Sequence, residues 1–134
     1  MLKKIRIESK LSDLRIVENT VDDITSEIGI SYNSYGKILI SLLEAVNNAI
    51  IHGNNSSPEK IVEISVSYKK PRLTIKVKDE GTGFSPDKVP DPTKPENIEE
   101  ANGRGVFIMS KLADEIKYSR KGNCVTMIFN NVIS

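Results

Sequence analysis

The chain has 134 residues, which suits a single domain that can bury a core of its own. Its 19 Lys and Arg against 18 Asp and Glu give a formal net charge of +1, so no electrostatic footprint favours DNA, RNA or an anionic membrane. With one cysteine and one histidine, an internal disulfide is impossible and a structural zinc site is disfavoured. No segment has the apolar run of a signal peptide or a membrane span, so we expect a cytoplasmic protein.

The first part of the chain predicts one strand followed by two helices. Alternating apolar and charged residues indicate a strand over 2–8. We expect Ser12 to cap a helix that runs to about Ile28 and ends at Gly29, and a second helix from about residue 33 to His52. The apolar stripes are Leu14, Val17, Val21, Ile24 and Ile28 in the first helix, and Leu39, Leu42, Leu43, Val46 and Ile50 in the second.

The rest of the chain predicts two hairpins separated by a long loop and a short helix. The expected elements are strands over 62–69 and 73–78, a loop over 80–103, a helix over about 104–112 that buries Val106, Met109 and Leu112, and strands over 115–119 and 124–130. We therefore expect one α+β domain over residues 1–134. It would be a two-layer sandwich with a mixed, mostly antiparallel sheet and about three helices packed on one face.

Glu44 and Asn48 are the first candidate functional residues. They are four positions apart and therefore share a helix face, which lies opposite the apolar stripe. Asparagine is a poor helix former, so the pair Asn47 and Asn48 in the middle of a helix suggests a functional role. An amide oxygen suits Mg²⁺, and a carboxylate one turn away could orient or deprotonate a hydroxyl near a γ-phosphate. The alternative is a solvated polar face with His52 and Asn54 serving the helix end, and this segment alone favours that alternative.

Two glycine-containing turns supply further candidates. Asp79 ends a predicted strand, where its carboxylate could accept a hydrogen bond from the exocyclic amine of adenine; Gly81 and Gly83 would permit close backbone approach to a ligand. Later, the run 103–106 (Gly-Arg-Gly-Val) leads into a helix, where backbone N–H groups can bind phosphate. Each could instead be a plain glycine-rich turn, and the sequence leaves open whether Arg104 contacts phosphate or is simply exposed. Neither turn has the spacing of a Walker loop.

Taken together, the three segments resemble the N, G1 and G2 boxes of the Bergerat-fold ATPases, which include gyrase, histidine kinases and heat-shock chaperones. The stretch 44–53 looks like the N box of the anti-sigma-factor serine kinases, the partner-switching regulators of sporulation and stress sigma factors. The lid segment 93–96, the glycines at 103 and 105 and the strand 123–128 also resemble that family, so the likeness covers nearly the whole chain. It implies a Bergerat ATP-binding fold with an ATP lid at about 84–103.

The resemblance implies a role for each matched position. Glu44 would be the catalytic general base, Asn48 the Mg²⁺ ligand and Asp79 the adenine-reading aspartate. The implied nucleotide-binding residues are Asn48, Asp79, Gly81, Gly83, Phe84, Lys94, Gly103, Arg104, Gly105 and Val106.

Two features of the sequence depart from the family pattern. Asn123 stands where many members have a threonine that helps to hold adenine, and Thr126 is displaced from that position. The run 99–102 lacks a basic residue found in some members, so Arg104 or Lys94 would act instead.

By resemblance, the protein would use ATP and Mg²⁺ to phosphorylate a serine on an anti-anti-sigma-type protein, and would hold a sigma factor inactive. A homodimer is also implied, with no direct contact to nucleic acid. Two alternatives remain: an ATP-binding regulator that acts by binding alone, and a subunit that supplies ATP chemistry to a separate acceptor. The acid at Glu44 favours the kinase, because a pure binding module does not need one.

Overall fold

The computed structural model describes residues 3–81 and 109–133. The chain order of its elements is β1 (Lys3–Glu8), a 3₁₀ turn (Leu11–Asp13), α1 (Leu14–Ile28), α2 (Tyr32–Asn48), a π-helical turn (Ala49–Gly53), β2 (Ile61–Lys69), β3 (Arg72–Lys78), β4 (Glu115–Tyr118) and β5 (Cys124–Phe129). Residues 109–112 are helical and precede β4. The strands lie within about one residue of their expected bounds.

The five strands form one sheet in the order β1-β2-β3-β5-β4. Every pairing between these strands is antiparallel, so the sheet expected to be mostly antiparallel is entirely so over the described residues. The register aligns inward-facing apolar residues across neighbouring strands: Val66 lies opposite Ile75, and Ile75 lies opposite Met127. This alignment gives the sheet one continuous apolar face, as an antiparallel sheet with one covered side requires.

Helices α1 and α2 pack together, and their buried side chains join those of the sheet in a single core. The buried helical positions are Val17, Val21 and Ile24 in α1 and Ile38, Leu42, Ala45, Val46 and Ile50 in α2 or just after it. Leu39 and Leu43, expected at the centre of the α2 stripe, are only partly buried. The buried face of α2 is rotated toward Ser41, Ala45 and Ala49, whose small side chains allow close approach between elements. Hydrophobicity alone did not mark these small residues as core.

The short helix before β4 was expected to bury three side chains. Met109 is buried and Leu112 is half-buried, while Val106 lies outside the described residues. Among the helices of the described ranges, none combines the length and the apolar character needed to cross a membrane.

The N-terminal ends of the two helices differ from the sequence prediction. Ser12 was wrong as the cap of α1: it is exposed within the 3₁₀ turn, and the residue before α1 makes no side-chain cap. Asp13 instead turns back, and its Oδ2 accepts a hydrogen bond from Glu8 N at 3.0 Å. Gly29 ends α1 as expected, with φ at 82°. The cap of α2 is Ser31, whose Oγ accepts from Ser34 N at 3.2 Å.

The two serines make a matched test of these helix ends. We expect Ser31→Ala to lower the free energy of unfolding by about 1 kcal/mol, because it leaves an N–H of the first turn of α2 without its partner. Ser12→Ala should change it by less than about 0.5 kcal/mol, as for other exposed positions. Urea denaturation of both variants checks the prediction, and equal losses would contradict the assignment of Ser31 as the cap.

Candidate active site

The candidate site lies where the end of α2 meets the loop that follows β3. Helix α2 ends at Asn48 and continues as the π-helical turn over Ala49–Gly53, where one α-helix to His52 was expected. In this turn Asn54 N donates to Ala49 O at 2.8 Å. π-helical turns are rare and are found frequently at functional sites.

Two glycines bring these segments into direct contact. A Cβ on Gly53 would lie 2.4 Å from the Cγ and Oδ2 atoms of Asp79, and a Cβ on Gly81 would lie 2.1 Å from Gly53 O. Both distances are far below any real carbon contact: at Gly81 the obstacle is backbone, so glycine is required there, whereas at Gly53 the Asp79 carboxylate would have to move. The Asp79 carboxylate therefore lies directly against the backbone of the turn that ends α2.

The Asp79 carboxylate is half-buried and has one hydrogen bond to the loop, since Gly81 N donates to Oδ1 at 2.8 Å. Burial raises the pKa of Asp79, and it outweighs the Gly81 N–H and the charges of Lys121 and Lys60, which lower it. Within the described residues no donor is seen on Oδ2. A desolvated carboxylate of this kind can accept a hydrogen bond from an amine on a ligand.

The backbone of Asp79 is held by the turn between β4 and β5. Asp79 N donates to Asn123 O at 2.9 Å, and Asn123 Nδ2 donates to Asp79 O at 3.2 Å. Thr126 lies mid-sheet, opposite Lys76 and Lys117 in the register, and is thus removed from Asp79. Asn123 therefore fixes the end of β3, a role that the sequence analysis did not assign to it.

Glu44 and Asn48 lie on α2 as predicted, one turn apart and both partly exposed. Over residues 3–81 and 109–133, no hydrogen bond or ion pair engages either side chain. The π-helical turn connects this pair directly to the Asp79 contact.

The remaining predicted site residues lie outside the described residues. They are Gly83, Phe84, Lys94, Gly103, Arg104, Gly105 and Val106, and the predicted lid at 84–103 lies there too. In the part of the chain that the structure describes, no group of three or more His, Cys, Asp or Glu side chains could hold a metal ion. His52 is exposed in the π-helical turn, consistent with a helix-end residue.

A separate cleft of about 390 Å³ opens beside the Asp79 loop. Its lining residues are Arg6, Ile61, Glu63, Lys78, Asp79 and Glu80. Neither Glu44 nor Asn48 lines it, and its floor is the outward face of the sheet, where Arg6 Nε donates to Glu63 at 3.1 Å. We therefore place the candidate active site on the α2 side of Asp79.

Comparison with known proteins identifies the class. The model of the histidine kinase-like ATPase domain matches residues 7–129. The chain therefore belongs to the histidine kinase-like ATPase domain family, as its three boxes led us to expect, and a domain of this family uses ATP.

Two relatives extend this comparison. An anti-sigma F factor from Geobacillus thermodenitrificans is 34% identical over 114 residues, covering 82% of this chain and 77% of the relative. A serine-protein kinase RsbW from Oceanobacillus iheyensis is 22% identical over 131 residues, covering 93% and 83%. The likeness to the anti-sigma-factor serine kinases is confirmed.

A solved structure confirms the fold. The structure of the RsbU and RsbW domains of Rv1364c from Mycobacterium tuberculosis matches with a TM-score of 0.60 at 16% identity. The match covers 96% of this chain and 32% of that one.

The contact between Gly53 and Gly81 predicts a steric effect. We expect Gly81→Ala to destabilise the protein by about 1–3 kcal/mol, because its Cβ would collide with a backbone oxygen that cannot move aside cheaply. Gly36→Ala is the matched control: its Cβ meets nothing within 4 Å, and alanine raises helix propensity by about 1 kcal/mol. The midpoint of chemical denaturation should therefore fall for Gly81→Ala and rise for Gly36→Ala. Equal midpoints for the two variants would contradict the contact.

The raised pKa of Asp79 predicts a pH-dependent stability. Since the folded state holds the Asp79 proton more tightly than the unfolded chain, its contribution to stability falls as pH rises between the unfolded and folded pKa values. At neutral pH the ionised Asp79 carboxylate therefore lowers the stability of the folded protein. We expect Asp79→Asn to raise Tm at pH 7, with a gain that shrinks on acidification toward the pKa of a free aspartate. Asp23→Asn, an exposed carboxylate on α1, is the control; the prediction fails if both substitutions give the same pH trend.

Proposed function

We propose that the chain is an ATP-dependent serine/threonine protein kinase and an anti-sigma factor. The observation that supports this most directly is the contact of Gly53 with Asp79. It connects a helix that carries an acid and an amide to a desolvated carboxylate suited to a nucleotide base. The names of the relatives, a serine-protein kinase and an anti-sigma F factor, support the same activity.

The residues at this contact fit a nucleotide. Asp79 would accept a hydrogen bond from the 6-amino group of adenine, whereas guanine presents a carbonyl at that position and would be rejected. Gly53 and Gly81 allow the Asp79 carboxylate to lie against the end of the helix that carries Glu44 and Asn48. From the undescribed part of the chain, Gly83, Phe84, Lys94, Gly103, Arg104, Gly105 and Val106 would complete the nucleotide site.

Asn48 would hold Mg²⁺ through its side-chain oxygen, a hard ligand of the type that this ion accepts. Mg²⁺ would neutralise negative charge on the phosphates when bound. The absence of any intramolecular partner for Asn48 among the described residues fits this role.

Glu44 would act as the general base. Its carboxylate would take the proton from a serine hydroxyl of the substrate protein while the serine oxygen attacks the γ-phosphorus of ATP. The bond from that phosphorus to the β–γ bridging oxygen breaks, so the products are phosphoserine and ADP. Glu44 is partly exposed on the outward face of α2, where a protein substrate can reach it.

The proposed partners are an anti-anti-sigma-type protein as substrate and a sigma factor as the target of sequestration, with no direct contact to nucleic acid. The name of the anti-sigma F relatives supports the sigma-factor half of this proposal. A homodimer and a cytoplasmic location, where sigma factors act, belong to the same proposal.

Glu44→Gln separates chemistry from binding. We expect it to slow transfer of labelled γ-phosphate to a small anti-anti-sigma protein by about 10²- to 10⁴-fold, the usual contribution of a general base. The affinity for ATP, measured by calorimetry, should change less than about threefold, because glutamine keeps the size of the side chain and removes only its charge.

Glu18→Gln on the exposed face of α1 is the control and should leave both quantities unchanged. If the wild-type chain binds ATP and a sigma factor but transfers no phosphate, the kinase proposal is wrong and regulation by binding alone replaces it.

A further inference from the structure

Asn54, the residue that follows the π-helical turn, is a fully buried polar side chain with 0% relative exposure. Nothing in the proposed chemistry uses it. A buried amide is costly unless its donors and acceptor are all paired, so a side chain in this position must serve a structural or positional purpose.

The two ends of the Asn54 amide bind different parts of the fold. On one side, Nδ2 donates to Ser9 Oγ at 2.8 Å and to Ile61 O at 3.2 Å, at the end of β1 and the start of β2. On the other side, Oδ1 accepts from Glu80 N at 2.8 Å. Ser9 Oγ in turn donates to Lys60 O at 2.7 Å, which completes the network.

The Glu80 bond matters because of where that N–H lies. It belongs to the peptide group between Asp79 and Glu80, one residue from the Gly81 N–H that holds the Asp79 carboxylate. The Glu80 side chain also accepts from Ile61 N, so the loop is fixed to the start of β2 at a second point. The direction of the Asp79 carboxylate is thus set by the peptide that Asn54 holds.

We propose that Asn54 is a positioning residue for nucleotide selection: its Oδ1 fixes the Asp79–Glu80 peptide, and so aims the carboxylate that reads adenine. This inference rests on the proposed role of Asp79 in binding ATP. In this proposal Asn54 Oδ1 determines the preference for adenine, and Asn54 Nδ2 joins the end of β1 to the start of β2. The two ends can be tested separately.

The test measures Kd for ATP and for GTP, by calorimetry on the full chain, in three variants. Asn54→Ala removes both ends of the amide. Asn54→Asp keeps an oxygen that can accept from Glu80 N and loses the donors to Ser9 and Ile61. Ser9→Ala removes only the partner of the donor end. Tm is measured in parallel.

We expect Asn54→Ala to lower the preference for ATP over GTP by about tenfold or more, the size of one hydrogen bond to a charged group. Asn54→Asp and Ser9→Ala should keep the preference within about threefold while lowering Tm, since both lose bonds of the donor end. If Asn54→Ala does not fold, Asn54→Asp decides: retained preference supports the acceptor role, and lost preference overturns it.

Two other results have distinct meanings. If Asn54→Ala folds and keeps the wild-type preference, Asn54 is only structural and the inference is wrong. If the wild-type chain shows no preference for ATP over GTP while remaining folded, the proposed role of Asp79 in reading adenine is wrong and this inference is wrong with it; phosphoryl transfer is tested separately by Glu44→Gln.

Discussion

At the end of helix α2, the backbone of Gly53 lies directly against the Asp79 carboxylate and against Gly81 in the loop after β3. This contact is possible because neither glycine has a side chain. This contact couples the two layers of the sandwich at the functional end of the molecule. Glu44 and Asn48 are placed by the helix layer, and Asp79 is placed by the sheet. A side chain at either glycine would force the two segments to shift, so the spacing between Asp79 and the end of α2 depends on these two positions.

That close contact has an electrostatic consequence. Packing against Gly53 removes water from the Asp79 carboxylate, and this desolvation raises its pKa in spite of the opposing lysines and the Gly81 N–H. A carboxylate that is poorly solvated and only partly paired is unfavourable for the free protein. It is favourable for a ligand amine, because the hydrogen bond then forms without displacing tightly held water. Functional sites commonly retain such locally unfavourable groups, and the surrounding core of β2, β3 and α2 supplies the stability that offsets them.

The sequence predicted most of the fold because its strands alternate cleanly and its turns carry Gly, Pro and Asn. Glu44 and Asn48 come from one short motif and Asp79 from a second, and the order of these motifs along the chain marked them as candidates. What it could not predict depends on contacts between distant segments. Ser12 and Ser31 are equally good caps by residue type, but Ser12 lies within the 3₁₀ turn before α1, and of the two only Ser31 caps a helix. Asn54 was considered as a helix-end residue, but its partners Ser9 and Glu80 lie 45 and 26 positions away.

The π-helical turn explains how one short segment presents polar groups in opposite directions. Had α2 continued as a regular α-helix, Asn54 would lie only about 80° from Glu44 around the helix axis, because each residue advances by about 100°. The turn closes with a bond from Asn54 N to Ala49 O, five residues back, and the extra residue sets the following side chains back by roughly one position. Asn54 is thereby rotated into the core, where it meets the Asp79 loop, while Glu44 and Asn48 stay partly exposed. The irregular turn thus links the exposed polar pair on α2 to the buried amide that holds the Asp79 loop.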